Sequence, residues 1–206
     1  MAVEIIECVQ NSPEWYKARL GLVTCSMLKT VLASGKGGGE SLTRATYMRK
    51  LAGEIITGEP MDNYVSADME RGKLMEDEAR SYYAYACDDK LQRIGFVRNG
   101  QKGCSPDSWV GKDGMFETKS AFPHILIEKL LKGTFPPEHK AQCQGGLWVC
   151  EKDWIDLSIY WPKMPVFTMR AYREEAYIAE LSREVDRFNE ELAETVERVR
   201  RYGEVV

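Results

Sequence analysis

Asp107, Glu117 and Lys119 are the residues in this chain whose types and spacing best suit chemistry. They lie in Cys104-Ser105-Pro106-Asp107-Ser108-Trp109-Val110-Gly111-Lys112-Asp113-Gly114-Met115-Phe116-Glu117-Thr118-Lys119. Here Gly111-Lys112-Asp113-Gly114 is a turn between two strand-like stretches. Side chains alternate faces along a strand, so Glu117 and Lys119 point the same way. The turn folds the second strand back on the first and carries Asp107 towards Glu117. Two carboxylates and an amine then share one spot. Mg²⁺ is a hard cation that takes carboxylate, carbonyl and water oxygens. Asp107 and Glu117 can hold it, and the backbone carbonyl of Thr118 can add a ligand. Such a metal acidifies a bound water and neutralises charge building on a phosphate ester under attack. Lys119 would position or help deprotonate that water, or stabilise the phosphate oxygens.

The acid-x-Lys spacing alone is weak, since about one or two arise by chance in a chain this long. Asp88…Lys90 and Glu138…Lys140 also have it. Only Glu117…Lys119 sits on a strand, follows a tight turn and has a Pro-Asp upstream at hairpin distance. Taken alone, a strand acid–lysine pair is about as often a solvated sheet face. A further acid strengthens the case. Residues 66–86 read as a long helix, on which Glu76 shares a stripe with Met69, Gly72, Ala79 and Tyr83. That stripe is small and apolar, so it faces the protein body, and a carboxylate there needs a partner: a metal, Lys119 or a buried arginine. Glu70, Lys73, Asp77 and Arg80 fall together on a charged face expected to be solvated.

The elements that must position these residues are mixed. Ser12-Pro13-Glu14 opens a short helix that ends at Gly21, and Trp15 and Arg19 share one face of it. Thr24 can cap a second helix running to about residue 33. Residues 35–39 read as a flexible glycine-rich loop without phosphate-loop spacing. A helix over residues 43–57 stops at Gly58. Strands are predicted over 91–98, 103–110 and 115–120, helices over 124–132 and 138–150, and two further strands over 154–161 and 166–171. The last helix, residues 174–201, carries a seam of Ile178, Leu181, Val185, Phe188, Leu192, Thr195 or Val196, and Val199 at alternating three- and four-residue steps. This seam is expected to lie on the domain surface, with an oligomer contact as the sharper alternative. The expected fold class is α/β, a mixed central sheet flanked by helices. The expected organisation is one domain over residues 1–206: N-terminal helices in 12–87, the catalytic sheet with inserted helices in 91–172, and the C-terminal helix in 173–201.

Bulk properties bound less. With 206 residues the chain can bury a real core. Its net charge of −4 argues weakly against a protein that coats nucleic acid over its whole surface, but leaves room for one local basic groove. No apolar run approaches the ~20 residues of a membrane span, and the acidic start is unlike a secretion signal. A soluble, intracellular protein is expected. Cys8, Cys25, Cys87, Cys104, Cys143 and Cys150 form no C-x-x-C pair, and His124 and His139 complete no zinc pattern. Free, largely buried thiols are expected.

Gly72-x-x-x-Glu76-x-x-Ala79-Arg80, followed by Ser105-Pro106-Asp107 and Glu117-x-Lys119, resembles the PD-(D/E)xK nuclease superfamily and its restriction-endonuclease-like core. More narrowly, the chain resembles the phage lambda exonuclease and YqaJ-like viral recombinase nucleases. Trp15-x-x-x-Arg19-Leu20-Gly21 with Thr24 and Ser26, Leu51-Ala52-x-Glu54 with Thr57-Gly58, and Ala141-Gln142-x-Gln144 before Trp148-Val149 match further motifs of that family in the same order. The resemblance spans roughly residues 12–150 and is loose in the C-terminal third.

That resemblance implies processive 5′-to-3′ digestion of one strand of linear double-stranded DNA, leaving 3′ overhangs for phage-type recombination. It implies Mg²⁺, for which Mn²⁺ can substitute, at Asp107 and Glu117 with Glu76 nearby. Gln142 is similar to a glutamine that orients the nucleophile region. Arg19, Ser26 and Ser105 match positions that contact a DNA-end 5′-phosphate, a chemistry suited to an arginine and hydroxyls. Trp15 and Trp148 are expected to be core residues. A ring-shaped homotrimer around DNA, a single-strand annealing partner, no membrane association, and a phage- or prophage-encoded protein in the bacterial cytoplasm are implied too. The alternatives are an endonuclease or repair nuclease of the same superfamily, and a nuclease-fold DNA-binding module without activity.

Overall fold

The structure is a computed structural model that describes residues 3–35, 37, 39, 41–61, 67–87 and 89–204. The expectations for Lys36 and Gly38 in the glycine-rich loop, for Ser66 as a helix start, for Asp88, and for the side chains of Met69, Glu70 and Lys73 lie outside the described residues.

Two sheets carry the strands. One is four-stranded, built from β1 (Glu4–Ile6), β2 (Val23–Thr24), β4 (Phe96–Asn99) and β5 (Lys102–Cys104) in the order β1-β4-β5-β2. The other is five-stranded, from β3 (Leu91–Gln92), β6 (Ser108–Val110), β7 (Gly114–Ser120), β8 (Trp154–Tyr160) and β9 (Phe167–Tyr172), in the order β3-β6-β7-β8-β9. β7 and β8 run parallel through its centre, while β6 and β9 pair antiparallel on either side. The expected α/β class is what the chain forms, with two mixed sheets flanked by helices where one central sheet was expected.

Two predicted strands prove to be four. The stretch 91–98 divides into β3 and β4, and 103–110 into β5 and β6, each pair split between the two sheets. Gly95 marks the first break: a Cβ there would meet the Cys8 carbonyl oxygen at 2.3 Å, so the chain passes where only glycine fits. Pro106, which has no N–H for a ladder, marks the second. The short strands β1 and β2 were absent from the sequence expectation, which placed only helices in the N-terminal region.

The helices sit close to their expected positions. Helix α1 (Pro13–Ala18) is capped by Ser12, whose hydroxyl accepts from the Trp15 N–H. Thr24 does not cap a helix with its side chain; a 3₁₀ turn at Cys25–Met27 leads instead into α2 (Leu28–Val31). Helix α3 (Leu42–Thr57) is capped by Ser41 and ends at Gly58 in the left-handed conformation. Helices α4 (Ala67–Ala86), α5 (Pro123–Lys132), α6 (Lys140–Cys150) and α7 (Glu175–Arg200) complete the set. The α7 seam is buried from Ile178 to Val196, packs against α3, and leaves Val199 exposed. It is laid on the domain, as the simpler expectation had it.

Strand β7 is flanked on both faces. Met115 lies by Gly146 and Glu117 by Gln142, so the odd-numbered residues face α6. Phe116 stacks on Tyr83, and Ser120 lies beside Gly72, so the even-numbered residues face α4. The alternation expected from sequence therefore sends Glu117 and Lys119 to the same side.

Candidate active site

Asp107 stands just before β6, beside the point where β7 loses its neighbour. Ser108 pairs with Phe116, so Asp107 falls beside Glu117 and Thr118 at the open end of the pair. Gln10 steadies this segment by donating its side-chain amide to the carbonyls of Pro106 at 3.0 Å and Ile94 at 2.9 Å. The Thr118 backbone N–H donates to Asp107 Oδ2 at 2.6 Å. A residue's N–H and C=O leave the same edge of an antiparallel strand, so the Thr118 carbonyl is directed to the same side.

Glu117 is 5 % exposed, and its Oε1 accepts two bonds. Lys119 Nζ donates at 2.5 Å and Gln142 Nε2, from the first turn of α6, at 2.6 Å. Burial pushes the Glu117 carboxyl above the ordinary carboxylate range, against the pull of Lys119. Burial, then the charges of Glu117 and Glu76, push Asp107 well above it. Burial alone would lower the Lys119 pKa, but Glu117 and Asp107 outweigh it and raise the value.

Glu76 and Asp107 line a cavity of about 750 Å³ together with Thr118, Lys119 and His139. A second cavity, of about 350 Å³, meets the first at Glu76 and Asp107 and is bordered by Arg80 and Arg93. Glu76 faces the protein body as expected, and its partner is the arginine option. Arg80 donates to Glu76 Oε1 and, at 3.2 Å, to the Asp107 carbonyl. The expectation of a solvated Arg80 is therefore corrected: it is 9 % exposed. Its long side chain lies between α4 and the Asp107 segment, where two acceptors from different elements converge. Asp77 does lie on the exposed side, paired with Arg93.

The donor set fits a hard divalent cation. Asp107 and Glu117 are desolvated acids whose charges repel, and the Thr118 carbonyl is an oxygen donor of the right kind. The Thr118 hydroxyl is also buried without a hydrogen-bond partner among the described residues. Among the described residues no three acid, histidine or cysteine side chains converge as a metal cage. That is the ordinary condition of Mg²⁺, which keeps waters and needs one or two carboxylates.

Arg19, Ser26 and Ser105 also come together. The register Thr24↔Gly103 in parallel β2 and β5 sends Ser26 and Ser105 off neighbouring strand ends. Arg19 donates to Thr24 Oγ1 at 3.5 Å, which lies 3.4 Å from Ser26 Oγ. Ser105 Oγ accepts from Trp15 Nε1 at 2.8 Å. Of the two glutamines in the motif, Gln142 reaches the site. Gln144 instead ties the end of β9 to α7 by bonding the Tyr172 carbonyl and the Glu174 N–H. All six cysteines are free, and Cys25, Cys104, Cys143 and Cys150 are buried.

Sequence reasoning missed His139 and Arg80. His139 lines the main cavity, with its pKa lowered to about 4 by burial and by Lys119. Nothing local in the sequence marks it. Arg80 was findable, because it stands four residues after the inward-facing Glu76.

A mixed sheet whose central strand β7 carries Glu117 and Lys119, with Asp107 beside it from the segment before β6, defines a nuclease core of the restriction-endonuclease-like fold. The YqaJ-like viral recombinase domain matches residues 14–153. The chain is similar to an alkaline exonuclease, LHK-Exo, from Laribacter hongkongensis: 30 % identity over 93 % of this chain and 97 % of that one, with a TM-score of 0.83. The same enzyme in complex with dAMP gives 0.84 at the same identity and coverage. A phage-related exonuclease from Haemophilus somnus 129PT shares the fold at 16 % identity and a TM-score of 0.62, over 86 % of this chain and 96 % of that one. No curated protein matches. The chain belongs to the YqaJ-like viral recombinase family.

Proposed function

We propose that this protein is a Mg²⁺-dependent exonuclease that degrades one strand of linear double-stranded DNA from 5′ to 3′. The product would be 3′ single-strand overhangs for phage-type recombination. As a member of this family, similar along nearly its whole length to an alkaline exonuclease, it is a DNA exonuclease. The observation that carries the mechanism is the doubly bonded Glu117, buried and held by Lys119 and Gln142, with Asp107 and Lys119 themselves lining the open cavity beside it.

When bound, Mg²⁺ would lower the pKa of an attacking water and offset charge on the scissile phosphate. Asp107, Glu117 and the Thr118 carbonyl would hold it. Gln142 fixes the direction of the Glu117 carboxylate. Lys119, already bonded to Glu117, places an ammonium where phosphate charge develops. Arg80 holds Glu76 and, through the Asp107 carbonyl, the backbone under the first acid. Arg19, Ser26 and Ser105 would take the 5′-phosphate of the DNA end.

We read residues 1–206 as one nuclease domain that acts as a homotrimeric ring. In a ring only the channel need be basic, which reconciles DNA binding with a net charge of −4. The α7 seam is consumed by α3, so subunit contacts would use other surfaces. A single-strand annealing protein is the expected partner, and the cytoplasm of a bacterial host the expected location. No helix among the described residues is long and apolar enough to cross a membrane.

The test is linear duplex labelled at the 5′ or the 3′ end, beside closed circular duplex, with Mg²⁺ or EDTA. The expected result is early release of the 5′ label from linear DNA with Mg²⁺ only, and intact circles. Cut circles would favour an endonuclease. Absence of any released nucleotide would favour a binding module.

A further inference from the structure

Trp15 belongs to the small core cluster with Leu22 and Phe96, and is 7 % exposed. Packing accounts for its burial but not for where its polar edge and its ring face go. The indole N–H donates to Ser105 Oγ at 2.8 Å. On the ring, the Arg19 guanidinium carbon lies 4.1 Å from the centroid. One side chain therefore touches two of the three residues assigned above to the 5′-phosphate, one by each of its two kinds of contact.

The direction of the first bond matters. An indole N–H only donates, whereas a serine hydroxyl has one hydrogen and two lone pairs. With one lone pair of Ser105 occupied by Trp15, the indole offers no acceptor for the hydroxyl hydrogen, which is left to donate elsewhere. Charge-assisted bonds to phosphate oxygens need that polarity. The ring face meanwhile gives the Arg19 fork a surface to rest on, and an arginine so supported suits bidentate recognition of phosphate. Ser12 caps α1 by accepting from the Trp15 backbone N–H, so the indole enters from an anchored helix.

We propose that Trp15 is a positioning residue for recognition of the DNA end: it orients Ser105 as a donor and Arg19 as a planar fork towards the 5′-phosphate. This rests on the assignment of Arg19, Ser26 and Ser105 to that phosphate.

The test compares wild type, Trp15→Phe, Ser105→Ala and the double variant, measuring kcat and KM on linear duplex with 5′-phosphate or 5′-hydroxyl ends. Phenylalanine keeps a ring for Arg19 and removes the N–H. The preference for 5′-phosphate is expected to fall roughly three- to tenfold in Trp15→Phe, the scale of one neutral hydrogen bond. The loss should appear in KM for phosphorylated ends and spare kcat, and the double variant should lose no more than Ser105→Ala alone. Wild-type preference in Trp15→Phe, beside a loss in Ser105→Ala, would overturn the inference and leave the phosphate pocket standing. So would a Trp15→Phe loss that recurs in full on the Ser105→Ala background. A wild-type enzyme indifferent to the 5′-phosphate would overturn the pocket and this inference with it. If Trp15→Phe does not fold, 3-benzothienylalanine at position 15 keeps the indole shape without the N–H and is judged by the same outcomes.

Discussion

Replacing Asp107 with asparagine should raise the stability of the metal-free protein while removing its response to Mg²⁺. Asparagine has nearly the same shape and keeps an oxygen to accept the 2.6 Å bond from the Thr118 N–H. What it removes is a charge that burial, Glu117 and Glu76 all oppose. A carboxyl whose folded pKa lies above its unfolded value of about 3.9 binds more protons when folded. Its contribution to stability is then fully present below that unfolded value and is lost as pH rises through the folded one. Asparagine has no such loss. In EDTA, Asp107→Asn should melt close to wild type at pH 4 and above it at pH 8. With Mg²⁺ the order should reverse. A ligand at a hundred times its Kd stabilises by about 2.7 kcal/mol, and a chain of this size gains roughly 2–4 °C per kcal/mol. The wild type should therefore rise by roughly 5–11 °C, and Asp107→Asn by far less. Thermal denaturation at both pH values, with EDTA and with Mg²⁺, measures all four quantities. A variant less stable than wild type at pH 8 in EDTA, or one with an undiminished Mg²⁺ shift, would refute the reasoning.

Further substitutions probe other parts of the site. Lys119→Ala should abolish nucleotide release yet leave DNA binding in EDTA intact by gel shift; undiminished release would remove Lys119 from the mechanism. Gln142→Leu should lower kcat about 10- to 100-fold, as loss of a residue that orients a metal ligand does, with KM little changed; a loss below twofold would make Gln142 incidental. Arg80→Leu leaves Glu76 without its main partner. Because Glu76 is partly exposed, the cost in urea melts should be about 2 kcal/mol, below the ~3–5 of a fully buried pair, and a loss under about 0.5 kcal/mol would count against the contact. Phe188→Ala removes a fully buried ring stacked on Tyr47 and should cost about 3–5 kcal/mol; full stability would mean that α7 is not docked on α3.

The legible parts of this fold were those set by local period. The heptad steps of α7 report one buried face, and the alternation through Met115 to Lys119 sorts residues between a face on α6 and a face on α4, with Glu117 and Lys119 together as the period put them. The convergence of Asp107 on Glu117 was legible for the same reason, because a tight turn between two strands leaves little choice of register. What sequence concealed was set by contacts between distant residues. Nothing within residues 91–98 says that β3 and β4 join different sheets; that depends on Cys8 crowding Gly95. Arg80 reads as surface by its charge, and is buried because Glu76 and the Asp107 carbonyl meet it from two elements. Trp15 was read as core, which is true of its ring and silent on its N–H.

The central claim is that Asp107, Glu117 and the Thr118 carbonyl hold one divalent ion beside Lys119. Crystals soaked in Mn²⁺, with data collected for its anomalous signal, address it directly. A strong peak is expected about 2.1 Å from oxygens of Asp107 and Glu117 and from the Thr118 carbonyl, with waters completing an octahedron. A peak elsewhere in the chain with none between these two acids would contradict it.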